Sequence, residues 1–531
     1  MGAIISMFLV CSSGYAEQIY RSWSLEQCEE RQEEAYNIRM AAADERAKTV
    51  MSVQNDNGDE ALYNDKRGSF SKALPHDNSG LVDLNAYQSL IDAINSGDPA
   101  DFDAIIMGGD SKLVNPQASA SFSLVGADAA AHVVPPSPTF ISAETAGEMV
   151  EVYWKSLLRD VKFSNYETNP LIGTAVADMN LLSDFKGPKV SGQLTRGTIF
   201  RGSGGLVGPY ISQFLYLPVP FVKNVNQKRK SPRPNSTNNF LTTVDECLAI
   251  QNGENPEKSI NFRVKNKFIM TGRDLGDWVH LDYQGEAFFN AALMLLSFGA
   301  DALDDNNPYK NNPTQDAFIT FGMSDVLTLV HSAANAAFKA VWHQKWNIHR
   351  RLRPEVYGFL VNQQLTTDGV DYNIHSDLLN SGVLEQLLVS HGNYLLFQQF
   401  PEGSPCHPAY PAGHAGVSGA CATVLKAFFK EDFVIPNPKI PAGNGNRLVN
   451  YVGATLTVGR ELTKLAENIT LGRDWAGVHY RSDGYQGMLL GEKVAIDLLE
   501  DMAFTMNEDF AGFSLTKFDG TQVTVGAKKT V

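Results

Sequence analysis

Apolar residues recur every three to four positions through much of the second half of this chain, the spacing of one buried face on an α-helix. Trp278, Leu281, Phe288, Leu293 and Leu296 predict a helix over residues 274–299, and Val326, Val330, Ala334, Phe338 and Val341 predict another over 323–347. Residues 414–429, 452–471 and 478–506 continue the pattern. Five long striped helices must bury their stripes against one another, which predicts bundle packing. The first half is less regular. Residues 24–48 are rich in Glu, Arg and Ala, predicting one long exposed helix. A loop over 53–83 leads to a short amphipathic helix at 84–96, with Leu84, Tyr87, Leu90, Ile91 and Ile94 on one side. An irregular stretch ends in a Pro-rich loop, and helices follow at 142–161 and 168–184.

The texture then changes. Residues 190–222 are rich in Gly and aromatics, and 224–239 read as a polar surface loop that includes Lys228, Arg229 and Lys230. Residues 259–264 and 267–270 flank a two-residue turn, predicting a β-hairpin. The end, 518–525, reads as a turn with short strands. No internal repeat is visible.

Composition narrows the function classes. With 531 residues and a net charge of −15, the chain is a poor partner for nucleic acid. No apolar run reaches the ~20 residues needed to cross a bilayer. Cys11, Cys28, Cys247, Cys406 and Cys421 show no metal-ligand spacing, so free or buried thiols are expected, with Cys28 the position open to an intermolecular disulfide. Residues 4–11 form a short apolar segment with Ala16 at a cleavage-like position but no basic residues ahead of it. That predicts an exported chain, secreted or in the cell envelope or periplasm.

Three segments concentrate charge against this acidic background. In the first, Lys345-Trp346-Asn347-Ile348-His349-Arg350-Arg351-Leu352-Arg353-Pro354-Glu355, the proline disfavours α conformation at Arg353, so the helix should stop about there. On an unbroken helix Lys345 and Arg353 would stand ~12 Å apart along the axis, and meeting at one ligand requires the break. Arg350 and Arg351 read as a solvated helix end favoured by the dipole. The second segment runs from His407 to Gly416 and places Pro411-Ala412-Gly413-His414 ahead of an apolar helix. A glycine N–H at a helix start can bind an oxyanion, and His414 at its mouth can exchange a proton. The third, from Gly472 to Asp483, holds Arg473, His479 and Asp483. If helical from Val478, it sets His479 and Asp483 at i and i+4, so the carboxylate holds one imidazole nitrogen and frees the other. Arg473 would lie off that face and reach the same point only from the loop ahead of the helix. A helix-start histidine with a capping carboxylate would carry the same residues. Together the segments supply what holds a tetrahedral oxyanion: arginine forks, a lysine point charge, a backbone N–H and a tethered histidine.

At these residues the sequence resembles the vanadium-dependent haloperoxidases. The pattern of a Lys with an Arg-Pro pair, a Pro-Ser-Gly-His turn and Arg-x5-His-x3-Asp reads here as Lys345 with Arg353-Pro354, Pro411-Ala412-Gly413-His414, and Arg473, His479 and Asp483. The wording at 345–355, Leu74-Pro75-His76-Asp77 and the ending Lys517-Phe518-Asp519-Gly520-Thr521 look most like the red-algal bromoperoxidases. The resemblance implies an all-α fold of two four-helix bundles in one large domain, with a few short β-hairpins, around a mononuclear vanadate. It implies His479 as the ligand to vanadium, with Lys345, Arg353, Gly413 and Arg473 on the other oxygens. His414, Lys345 and His407 would be the catalytic residues, supported by Asp483, Trp342 and Ala412. His414 would serve as the acid–base group for hydrogen peroxide. The expected reaction is oxidation of bromide and iodide to hypohalous acid, which halogenates small organic substrates. On this reading residues 1–20 are a leader or N-terminal segment, 21–185 a helical region with oligomer contacts, and 186–531 the vanadate-binding region with a β excursion at 190–270.

Three details depart from or refine the pattern. The family's serine is Ala412 here, removing one hydroxyl donor to an oxyanion. His407 matches the histidine of bromoperoxidases where chloroperoxidases carry an aromatic residue, and Trp342 is expected to line the same pocket. Red-algal relatives are dodecamers and bind calcium near the segment before Phe318; here Pro313 stands where an acidic ligand is expected, so a homo-oligomer carries over better than calcium does. The rival reading is an acid phosphatase with His479 as nucleophile, because phosphate and vanadate share shape and charge.

Overall fold

The computed structural model describes residues 23–222, 225–227, 229–231, 238–262 and 266–526. The leader-like start and parts of the 224–239 loop and of the 259–270 hairpin lie outside these residues. Helix α1 (Leu25–Ala47) lies in the first of two units, which reaches Thr49, and the second begins at Val50. None of its residues is buried, in keeping with its charge-rich composition, and it opens on a capping box between Ser24 and Gln27.

The larger unit begins with short helices, α2 (Asp59–Leu62), α3 (Leu84–Ser96) and α4 (Pro99–Asp103), followed by α5 (Ala143–Leu158) and α6 (Pro170–Met179). After a long irregular stretch come α7 (Val244–Gln251), α8 (Gly272–Trp278) and α9 (Glu286–Ser297). The body is completed by α10 (Met323–His343), α11 (Pro354–Thr366), α12 (Ser376–Leu379), α13 (Gly382–His391), α14 (Gly413–Phe428), α15 (Val458–Ala476) and α16 (Arg481–Ala503). Among the described residues six short strands pair as local antiparallel hairpins: β1 (Val219–Val222) with β2 (Val225–Gln227), β3 (Lys439–Pro441) with β4 (Leu448–Asn450), and β5 (Phe513–Thr516) with β6 (Gln522–Val525). The architecture is all-α, as the apolar periodicity predicts.

Helix α14 is the axis of this body, because every residue in it except His414 is buried. It packs against α10, α15 and α16. Glycines set how close α16 comes: a Cβ on Gly491 would lie 1.9 Å from the carbonyl oxygen of Gly416, and one on Gly419 would lie 2.1 Å from that of Met488. Only a missing side chain permits that approach. Helix α5 carries Glu148, Glu151 and Lys155 into the interior, where Lys155 meets Asp474 of α15 at 2.9 Å and Arg481 of α16 donates to Glu151 at 2.8 Å.

Several expected elements shift. The helix predicted over 274–299 is two helices, because Gly285 adopts φ 82° and starts α9 anew after a turn at 279–285. The one predicted from 452 begins at Val458, and the one predicted from 478 begins at Arg481. The hairpin expected over 259–270 is not formed among the described residues; Lys267 bridges Ser231 instead.

Candidate active site

The first charged segment is shaped by two successive breaks. Helix α10 passes into a π-helical turn, Gln344–His349, and Arg350 then takes φ 33°, ending it. Pro354 does not end that helix, as the sequence suggests; it opens α11, with Arg353 as the residue just ahead. Lys345 and Arg353 are thereby folded back toward each other. The Lys345 ammonium donates to the carbonyls of Pro408 and Ala409. Arg353 Nε donates to His407 O at 2.9 Å and Nη1 to Val478 O at 2.7 Å. The second segment is tied to the third where Ala412 N–H donates to Asp483 O at 2.9 Å. All three charged segments therefore converge on one buried point.

Chemistry at that point follows from who can donate. Asp483 Oδ2 lies 2.8 Å from His479 Nδ1, and a carboxylate only accepts, so Nδ1 carries the proton. Arg353 Nη1 lies 3.0 Å from His479 Nε2, and a guanidinium only donates, so Nε2 presents its lone pair. Burial first, then Arg353, Lys345 and Arg473, push the His479 imidazolium well below its usual range, which keeps the ring neutral. The same balance of burial and cationic neighbours holds His407 neutral; Arg353 Nη2 donates to its Nδ1 at 2.9 Å. Trp342 stacks obliquely on His407, with ring centroids 5.0 Å apart, and Phe338 packs edge-on against Trp342. A Cβ on Gly413 would touch both Phe338 and Trp342, at 3.3 and 3.4 Å, so the first residue of α14 sits against this aromatic wall. Half-buried His414 donates Nε2–H to Asp282 at 3.1 Å, leaving Nδ1 to exchange a proton.

The decisive observation is one of missing charge. Lys345, Arg353 and Arg473 are 0%, 0% and 5% exposed, and none has a carboxylate within ion-pair distance among the described residues. Arg473 donates Nη1 to Val279 O at 2.8 Å, while its buried Nε has no hydrogen-bond partner there. Burial, with Arg353 and Arg473 beside it, drives the Lys345 ammonium well below its ordinary range against the pull of Asp483. Uncompensated buried cations cost several kcal/mol each, so a cluster of three calls for an anion.

A family model described as the VCPO second helical-bundle domain matches residues 325–508, which hold all three segments. The vanadium-dependent bromoperoxidase of Corallina officinalis is 33% identical, with 93% of this chain and 98% of the relative aligned. That of Ascophyllum nodosum is 34% identical over 92% of both chains. The chain belongs to the vanadium-dependent bromoperoxidase family. A solved structure, the homohexameric second vanadate-dependent bromoperoxidase (AnII) of Ascophyllum nodosum, superposes with a TM-score of 0.89 at 28% identity, covering 98% of this chain and 94% of that one.

Family membership implies a vanadate cofactor. The residues fit it: an oxyanion would compensate the three buried cations, meet the orphaned Arg473 Nε, and face the Nε2 lone pair of His479. Every expected site residue, Lys345, Arg353, His407, Ala412, Gly413, His414, Arg473, His479, Asp483 and Trp342, falls in this one region. Two corrections concern how they arrive. His479 and Arg473 are not placed as a helix from Val478 would place them; Arg473 is in the last turn of α15, and His479 precedes α16, whose N-terminus Asp483 caps by accepting from Tyr480 N–H at 3.1 Å. Arg350 and Arg351 are not a solvated helix end. Arg350 pairs with Glu60 at 2.7 Å, and buried Arg351 pairs with Asp483 and Glu148 at 2.8 and 3.0 Å. The sequence reading also misses Asp282, hidden in a supposed helix; the turn signal Gly285 marks where that helix breaks.

Proposed function

We propose that this chain is a vanadate-dependent bromoperoxidase that oxidises bromide and iodide with hydrogen peroxide, Br⁻ + H₂O₂ + H⁺ → HOBr + H₂O. The observation that carries the reading is the trio of buried cations without carboxylate partners among the described residues, gathered around a neutral histidine whose free lone pair faces them. In this reading Lys345, Arg353 and Arg473, with the Gly413 N–H at the start of α14, hold the oxygens of vanadate, and His479 Nε2 is its protein ligand. Bound vanadate supplies a Lewis acid that activates peroxide.

The chain's own residues do the rest. Asp483 fixes the His479 ring by holding Nδ1–H. Asp282 orients His414, which at the mouth of the site would accept a proton from incoming peroxide at Nδ1 and could later give it back. Lys345 and the two arginines place positive charge where negative charge develops, in a site from which bulk water is largely excluded. His407, Trp342 and Phe338 form the wall along which halide and organic acceptor approach.

We extend the proposal to a homo-oligomer, since AnII is homohexameric; a dodecamer and an exported location are its finer forms, read by native mass and by fractionation of the producing cells. No described helix is long and apolar enough to cross a membrane. The discriminating experiment is bromination of monochlorodimedone with peroxide, set beside hydrolysis of p-nitrophenyl phosphate, before and after adding vanadate to the metal-free chain. Bromination should appear with vanadate and any hydrolysis should fall. Hydrolysis without vanadate-dependent bromination would assign the site to a phosphatase with His479 as nucleophile.

A further inference from the structure

Arg351 is the buried cation of this region that the functional reading leaves unused. It follows the left-handed break at Arg350, and its carbonyl accepts from Ala409 N–H at 2.9 Å, so its backbone is fixed to the same turn that receives Lys345. Its guanidinium donates through Nη1 to Asp483 Oδ1 and Ser482 Oγ, both at 2.8 Å, and through Nη2 to Glu148 Oε2 at 3.0 Å. The plane lies 3.9 Å from the Tyr480 ring centroid, beside the histidine.

The two oxygens of Asp483 thus have separate tasks. Oδ2 accepts from His479 Nδ1–H and Tyr480 N–H, and Oδ1 accepts from Arg351. Rotation of the carboxylate would break both sets at once, and it is wholly buried. Glu148, on α5, anchors the guanidinium from behind and also accepts from Ser482 N–H and Oγ–H.

We propose that Arg351 is a positioning residue: by holding Asp483 Oδ1 it fixes Oδ2 on His479 Nδ1 and so aims His479 Nε2 at the vanadate. The inference rests on the proposed vanadate role of His479. It predicts a selective effect. Vanadate gains a bond to His479 that inorganic phosphate, held by the cationic cradle alone, does not form. Loosening the histidine should therefore weaken vanadate far more than phosphate, whereas a merely structural Arg351 would weaken both or neither.

The test measures vanadate and inorganic phosphate affinity by equilibrium dialysis of the full metal-free chain, with the thermal midpoint recorded alongside. Arg351→Met combined with Glu148→Gln removes the guanidinium without leaving Glu148 as an unpaired charge. Vanadate affinity should fall about 10–100-fold in this variant, the usual effect of losing a group that orients a ligating histidine. Phosphate affinity should stay within about threefold, Arg351→Lys should recover part of the loss, and Glu148→Gln alone, which keeps Arg351 on Asp483 Oδ1, should lose clearly less vanadate affinity than the double variant. If the double variant does not fold, Arg351→Lys alone is scored by the same selectivity. Vanadate binding within about threefold of the parent, or equal losses for both anions, would overturn the inference. A parent chain that binds no vanadate would instead refute the functional reading.

Discussion

Arg353 Nη1 lies 3.0 Å from His479 Nε2, so a guanidinium rests on the one lone pair through which the histidine could bind a ligand. The same guanidinium reaches His407 Nδ1 through Nη2. Both arms end on neutral acceptors; no carboxylate claims them among the described residues. Such a group is poised for an oxyanion, which would give it a charged acceptor in place of a neutral one.

Replacement of Arg353 should therefore act on anion binding. Arg353→Met is expected to weaken vanadate by about 10–100-fold, the equivalent of losing a charge-assisted hydrogen bond of ~1.5–3 kcal/mol. Arg353→Lys keeps the charge but not the fork and should recover only part of this. Equilibrium dialysis reads the affinity. Undiminished binding in Arg353→Met would remove this residue from the cradle.

How much of this was legible in the sequence depended on distance along the chain. Lys345 with Arg353, Gly413 with His414, and His479 with Asp483 are near neighbours, and spacing alone suggested their partnerships. The His479–Asp483 contact survived an error in the helix start, because the capping position of Asp483 brings it to the same histidine as the i and i+4 geometry would. The role of Arg351 escapes a local pattern because its partner Glu148 is 203 residues away. Helix-end charge is a local pattern, and nothing local says that α5 will deliver a carboxylate there. Asp282 was lost for a different reason: apolar spacing ran on through 279–285, and a periodic stripe does not register a left-handed glycine.

Ala412 separates two effects of one hydroxyl. It stands just ahead of α14 with no side-chain cap, buried, and its N–H is already given to Asp483 O. Ala412→Ser is expected to raise vanadate affinity by about tenfold through a hydrogen bond to the anion. Should the hydroxyl cap α14 instead, the thermal midpoint would rise, as for a gain of ~1 kcal/mol, with affinity unchanged. Dialysis and calorimetry on the same variant tell the two apart.

The proposed halide preference is tested at His407, which is buried and held neutral beside Trp342. Bromide and iodide are expected to turn over with little chloride oxidation, and His407→Phe should raise the ratio of chloride to bromide turnover. Steady-state rates with each halide check this. Robust chloride turnover by the parent chain at mildly acidic pH would contradict the assignment.

A stability effect of pH should originate behind the site. Burial pushes the Glu467 carboxyl from its ordinary 4.5 up to about 7, against the hydrogen bond from Gly204 N–H and the nearby arginines. The folded state then holds a proton between about pH 4.5 and 7 that the unfolded state has lost. Its contribution is present below pH 4.5 and is lost as pH rises through about 7. About 3 kcal/mol is at stake. Glu467→Gln keeps an acceptor for Gly204 N–H and cannot ionise, so thermal midpoints recorded from pH 5 to 8 should fall less in the variant than in the parent. Parallel curves would show that Glu467 does not titrate in this range.

The central claim is that one oxyanion joins the three charged segments through His479. Its most direct measurement is vanadium content per chain after exhaustive dialysis of vanadate-loaded protein, for the parent and for His479→Ala. The account predicts close to one vanadium per parent chain and nearly none in His479→Ala, with both proteins folded. Equal retention by the two, or none by either, would contradict it.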